Sequence, residues 1–255
     1  MTLKAQGFVI LNKITDENLY MVLKREEPGQ TNESTEQRLS IQETELKKLF
    51  PLSIETLLSK VGVAIDNVNS AHIQGSRLYE TDRLKSDWDI LIVAGSKTPY
   101  RFYEFNVNGV DFDVHVFSVV EFHKKLEALD LATLEFVFHP NSVKLIENSV
   151  YSVNLNHDTL KVVAEAESLR QWTVGEAILR NPDLDPYKGL KRIWHSIRYL
   201  MFAKQLLNSG TITDFTEASS LNDPITQEDP QNVDAILAKY TPIREQLLAE
   251  IKKII

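Results

Sequence analysis

Two short acidic runs hold the residues best suited to chemistry. The first, Ser86-Asp87-Trp88-Asp89-Ile90-Leu91-Ile92-Val93, follows His72-Ile73-Gln74-Gly75-Ser76, with Asp87 eleven positions after Ser76. Side chains in a strand alternate faces, so Asp87 and Asp89 point one way while Trp88, Ile90 and Ile92 point the other. The second run, Val110-Asp111-Phe112-Asp113-Val114-His115-Val116-Phe117, puts Asp111, Asp113 and His115 on one face. Its short separation from the first run and its antiparallel-style alternation predict neighbouring strands in one sheet, on which three carboxylates converge. Carboxylates held that close repel unless a cation lies between them, and an all-oxygen set suits magnesium together with substrate phosphates. His115 reads instead as a hydrogen-bonded strand histidine, because magnesium prefers oxygen.

The elements that must position these residues follow from periodicity. Phe8-Val9-Ile10-Leu11 and Leu19-Tyr20-Met21-Val22-Leu23 predict a hairpin, and the polar stretch Glu26–Ser34, with Pro28-Gly29, a loop. Leu46, Leu49 and Phe50, then Ile54, Leu57 and Leu58, predict two short helices broken at Pro51. Strands are expected near 71–74, 88–94, 101–107 and 110–117, then helices over Val119–Leu129 and through Leu134, Phe136 and Val137 to Pro140. Strand signals then cease. Residues 158–180, 186–208 and 231–254 show helical spacing, with a stop at Asn208-Ser209-Gly210, and Thr216–Asp229, carrying Pro224, reads as a long connector. The expected class is α+β: a small mixed or antiparallel sheet flanked by helices, followed by a C-terminal helical bundle. Residues 1–150 form the expected sheet-bearing domain with its N-terminal hairpin, and 151–255 the helical domain.

Composition bounds the function. At 255 residues with 43% hydrophobic and 25% charged side chains, the chain can bury a sizeable core. It has no cysteine, which excludes disulfides, thiolate–zinc sites and a thiol nucleophile. The N-terminal residues lack the apolar core of a signal peptide, and no apolar run approaches the roughly 20 residues that span a membrane, so a soluble cytoplasmic protein without membrane partners is expected. A formal net charge of −8 argues against broad binding to extended duplex nucleic acid.

Gly75-Ser76, then Asp87-Trp88-Asp89, then Asp113 between Phe112 and Val114, resembles the signature of the polymerase-beta-type nucleotidyltransferase superfamily. A narrower similarity covers roughly residues 70–212. It runs through Gly75-Ser76-Arg77-Leu78-Tyr79, Asp113–Phe122, Leu134–Pro140, and the helix with His195, Arg198 and Leu206-Leu207, and is to predicted nucleotidyltransferases of phages and bacteria whose acceptors are largely unassigned. The resemblance implies an enzyme that moves a nucleoside monophosphate from a nucleoside triphosphate onto a hydroxyl, with two magnesium (or manganese) ions. It picks Asp113 over Asp111 as the third acid. Asp87 and Asp89 are then expected to share both ions, and Asp113 to complete the acceptor-side ion. Gly75, Ser76 and Arg77 are expected at the triphosphate, and the acceptor is a small molecule, a protein or an RNA end. Glu80 departs from the pattern, since glycine often follows Leu-Tyr there.

Lys188, Lys191, His195 and Arg198 step by three, four and three, which makes one polar stripe opposite Leu190, Ile193, Trp194, Ile197 and Met201. Such a stripe is either a cradle for a triphosphate, through Lys188, Lys191 and His195, or an ordinary solvated helix face. Tyr79, near the Gly-Ser turn, is a candidate for stacking a base. Two other functions compete: a catalytically silent module of the same fold, antitoxin-like or nucleotide-sensing, and a metal-dependent phosphohydrolase with water as acceptor.

Overall fold

A computed structural model describes residues 2–5, 8–15, 18–25, 50–83, 86–95 and 100–254 of the chain. The loop expected over Glu26–Ser34 and the helix expected around Leu46 and Leu49 lie outside the described residues. Strands β1 (Thr2–Ala5), β2 (Phe8–Thr15) and β3 (Asn18–Arg25) form an antiparallel sheet in that order. The expected hairpin is β2–β3, paired from Phe8↔Arg25 to Thr15↔Asn18. The helix expected after Pro51 is α1 (Ile54–Val61), begun by Ser53, whose side chain accepts from Thr56 N at 3.2 Å, and ended by Gly62 at φ +65.

The site is carried by a second sheet. Its strands are β4 (Val68–Gln74), β5 (Trp88–Ala94), β6 (Arg101–Val107), β7 (Val110–Ser118) and β8 (Lys144–Glu147), in the order β6-β7-β5-β4-β8. The two acidic strands, β5 and β7, are indeed neighbours, but they run parallel, which corrects the antiparallel expectation. The reason lies between them. Asn108 and Gly109, at φ +53 and +84, turn the chain within two residues, so β7 pairs antiparallel with β6 and enters the sheet beside β5 in the same direction. The four-residue strand β8 was not expected; it pairs with β4 from Ser70↔Glu147 to His72↔Lys144.

Alternation then separates two cores. Trp88, Ile90, Ile92, Phe112, Val114 and Val116 pack on one face with Leu57, Leu58 and Val61 of α1. On the other face, Leu91 and Val93 join helices α2 (Val119–Glu127), α3 (Leu131–Phe138), α4 (His157–Leu179), α5 (Pro186–Ser209), α6 (Ser219–Thr226) and α7 (Val233–Lys253) in one apolar cluster. Helices α4, α5 and α7 match the three expected from spacing, and α5 stops at Gly210, φ +72, as its sequence indicated. Small residues let α4 and α5 approach closely: a Cβ on Gly175 would stand 2.9 Å from the Gly189 carbonyl oxygen.

The connector expected over Thr216–Asp229 instead contains α6, with Pro224 inside it. Tertiary bonds hold this short helix where propensity would not. Trp194 Nε1 donates to Ala218 O at 2.8 Å, the Ser219 hydroxyl donates to Tyr79 O, and Arg83 reaches Asp223 at 3.3 Å. Among the described residues, no helix is long and apolar enough to cross a membrane.

Candidate functional site

Asp89 opposes Asp113 across the parallel pair β5–β7, and Asp87 lies just before β5 on the same side. Carboxylate oxygens of Asp87, Asp89 and Asp113 all lie within 4.8 Å of one another, and all three residues are half-buried. This is the one such cluster able to hold a metal ion among the described residues. Asp111 shares the face but is exposed, and Asn106 Nδ2 donates to its carboxylate at 2.7 Å. His115 bonds with Tyr100 through Nδ1 at 3.1 Å and stays outside the cluster.

The electrostatics follow from crowding. Burial, then the charge of Asp87, pushes the Asp89 carboxyl up to about 7; Asp113 adds to the shift, while Lys191 and Arg77 oppose it. Asp113 is raised too, first by burial and then by Asp87, Glu104 and Asp111. The proton on Asp89 is therefore bound more tightly in the folded than in the unfolded chain. The metal-free protein holds that stabilisation fully below pH 3.8 and loses it as pH rises through about 7. A metal must displace the same proton. We expect manganese affinity, read by calorimetry, to fall about tenfold per pH unit below 7, with about one proton released per ion. An affinity flat between about pH 5.5 and 7 would contradict a proton held on Asp89.

The Gly-Ser turn meets the cluster directly. After β4 the chain makes a single 3-10 turn over Gly75–Arg77, with Gly75 at φ +70. A Cβ at Gly75 would lie 1.9 Å from Asp89 Oδ2, so only glycine lets this backbone pass over the carboxylate. The Ser76 hydroxyl oxygen is buried and has no hydrogen-bond partner, while the Ser76 carbonyl accepts from Thr81 N at 2.9 Å. Gly75 sets this turn against Asp89, so an orphaned buried hydroxyl one residue further on fits a phosphate-bearing ligand, and an all-carboxylate donor set fits magnesium or manganese.

The structure ties Arg77 to the loop between the turn and β5. Its Nη1 donates to Asp82 at 3.0 Å and its Nη2 to Ser86 O at 2.9 Å, and its guanidinium lies 3.8 Å from the Trp88 ring centroid. Burial lowers its pKa, against the nearby Asp82, Asp87 and Asp89. Arg77 thus fixes the segment that delivers Asp87. Glu80 takes φ +54, the left-handed region where glycine is at ease, and its side chain is exposed.

The basic stripe on α5 changes environment along its length. Lys188 is exposed and Lys191 half-buried, with Lys191 close enough to Asp89 to lower its pKa. His195 is held neutral: burial, then Lys191 and Arg192, lower its pKa to about 3, and its Nδ1 has no partner. Arg198 is 2% exposed and does not belong to a solvated face. It pairs with Glu135 at 3.2 Å and stands 3.9 Å from the Tyr79 ring centroid. Tyr79 in turn donates its hydroxyl to Glu135 at 2.5 Å and is 6% exposed, so it stacks on Arg198 in the core, not on a base. This buried network was missed from sequence, although a lone charge inside Leu134-Glu135-Phe136 and another inside Ile197-Arg198-Tyr199 were its signal. It links the Gly-Ser turn to α3 and α5.

No protein family and no curated protein matches the sequence. Among solved structures, a nucleotidyltransferase-like protein from Exiguobacterium sibiricum is similar at 12% identity, over 78% of this chain and 76% of that one, with a TM-score of 0.29. At that score the likeness carries no argument about what this chain does.

Proposed function

We propose that the chain is a metal-dependent nucleotidyltransferase that moves a nucleoside monophosphate from a nucleoside triphosphate to a hydroxyl acceptor. One observation carries this: three carboxylates within 4.8 Å of one another beneath a Gly-Ser turn whose buried serine hydroxyl lacks a partner. Asp87, Asp89 and Asp113 would hold two magnesium ions, which when bound would neutralise the triphosphate and the charge that grows on it during transfer. Ser76 donates its hydroxyl to a terminal phosphate oxygen, and Gly75 lets the backbone approach it. Lys191, facing Asp89, adds positive charge on the same side, with Lys188 further out towards solvent. His195 is neutral, its ring lying beside those of Trp194 and Tyr199. The acceptor oxygen forms a bond to the α-phosphorus, the bond to pyrophosphate breaks, and the hydroxyl proton passes to Asp113, whose raised pKa suits a base.

The test is calorimetric titration with each of the four ribonucleoside triphosphates, in magnesium and then in EDTA. Magnesium-dependent binding is expected, weakened about tenfold by Lys191→Ala, the loss of one charge-assisted contact. Unchanged affinity in that variant would return Lys191 to a solvated helix face. Failure of every triphosphate to bind would favour the catalytically silent alternative in its antitoxin-like, partner-binding form.

A further inference from the structure

The acids lie on a sheet face that helices cover on one side only. In the order β6-β7-β5-β4, the Gly75–Ser76 turn at the end of β4 flanks Asp89 on one side, and Asp113 on β7 flanks it on the other. Beyond β7 comes the edge strand β6, where Glu104 opposes Asp113 and Phe102 opposes His115. Phe102 and Tyr100 are each 44% exposed. Their rings are nonetheless fixed: the Phe102 and His115 centroids are 4.8 Å apart, Tyr100 and Phe117 are 4.8 Å apart, and the Tyr100 hydroxyl bonds His115. The result is a shelf of aromatic faces adjoining the third acid.

Among the described residues, the charged side chains that β6 and β7 themselves put on this shelf are all acidic. Glu104, Asp111 and Asp113 share the face, and among the described residues no lysine or arginine projects from it on β6 or β7. Arg101 alternates to the opposite face. Lys125, 5.8 Å from the Phe117 ring centroid, is paired with Asp130 at 3.1 Å.

We propose that this shelf binds the acceptor, and that the acceptor is a small hydroxylated organic cation with a ring face, of the amino-sugar kind. The inference rests on the transferase reading above. In-line displacement places the incoming oxygen and the departing pyrophosphate on opposite sides of the phosphorus. With the terminal phosphates over Gly75–Ser76, the incoming hydroxyl arrives beside Asp113, and the shelf is the surface its molecule meets. Aromatic faces hold sugar rings and cations, and Glu104 and Asp111 pair with ammonium groups. A nucleic-acid end needs stacking together with a positive groove for its backbone, and here its phosphates would meet carboxylates.

The experiment titrates the full chain, in magnesium and without nucleotide, with three tetramers: β-1,4-linked glucosamine, cellotetraose and uridine RNA. The cationic sugar is expected to bind at least about tenfold more tightly than its neutral counterpart, with the RNA weakest. Phe102→Ala and Glu104→Gln, both at exposed positions, should each weaken it by roughly fivefold without changing the melting temperature. Equal binding of cellotetraose, tighter binding of RNA, or unchanged affinity in both variants overturns the proposal. The triphosphate titration separates the two levels. Binding of the cationic sugar with no triphosphate bound keeps the shelf and sinks the transferase; triphosphate binding with a preference for RNA keeps the transferase and sinks the amine acceptor.

Discussion

Asp87→Asn and Asp89→Asn should each lower magnesium-dependent turnover by about 10³-fold or more, equivalent to about 4 kcal/mol of lost transition-state stabilisation. An amide keeps the shape of the side chain and one acceptor oxygen but removes the charge that holds the ion. The same change removes a carboxyl that burial first, and then the charges of Asp87 and Asp113, lift to about 7, so the metal-free Asp89→Asn protein should be at least as stable as its parent. The sign of the pH dependence makes this specific. The parent loses stability as pH rises from 3.8 through about 7, because its raised carboxyl must ionise in a buried place and against Asp87 and Asp113, and the variant does not. The gain in melting temperature should therefore grow across that window and level off above it. Full turnover in either variant, or a loss of stability at pH 8, would remove the metal assignment.

Much of this site could be read from sequence because strand alternation is local. Asp-x-Asp on an apolar strand must put both acids on one face, and the burial of Trp88 and Ile90 on the other face leaves no choice of register. Alternation says nothing about direction, however, and the parallel pairing of β5 with β7 was set by the Asn108-Gly109 turn, which lies beyond the intervening strand β6. The stripe on α5 misled for a related reason. Spacing by three and four assigns a face but assumes one environment along the helix, whereas α5 runs from solvent at Lys188 into the core at Arg198. What buries Arg198 is Glu135 on α3 and Tyr79 after the Gly-Ser turn, partners 63 and 119 residues away that no local pattern connects. Helix α6 was hidden in the same way, since Pro224 argues against a helix locally while bonds from Trp194, Arg83 and Ser219 fix it globally.

Gly75→Ala separates geometry from charge at this site, and Gly62→Ala supplies its control. Both glycines adopt nearly the same left-handed backbone, φ +70 and φ +65, so an alanine at either carries a similar conformational cost of about 1 kcal/mol. Their surroundings differ completely. A Cβ at Gly62 meets nothing within 4 Å, whereas at Gly75 it would fall 1.9 Å from Asp89 Oδ2, 2.5 Å from its Cγ and 2.8 Å from its Cβ. The last contact is with an atom fixed to strand β5, so rotating the carboxylate away cannot relieve it. Either the turn lifts from the sheet or β5 shifts, and both separate Ser76 from the acids. Gly62→Ala should lower the melting temperature by about 2–4 °C and leave metal and triphosphate binding intact. Gly75→Ala should cost a further 1–3 kcal/mol, about 2–12 °C, as an overpacked contact does, and should abolish magnesium-dependent triphosphate binding. Equal melting temperatures with normal triphosphate binding in both variants would mean that the turn does not cradle the ligand over Asp89, and the nucleotide would have to be sought elsewhere on the chain.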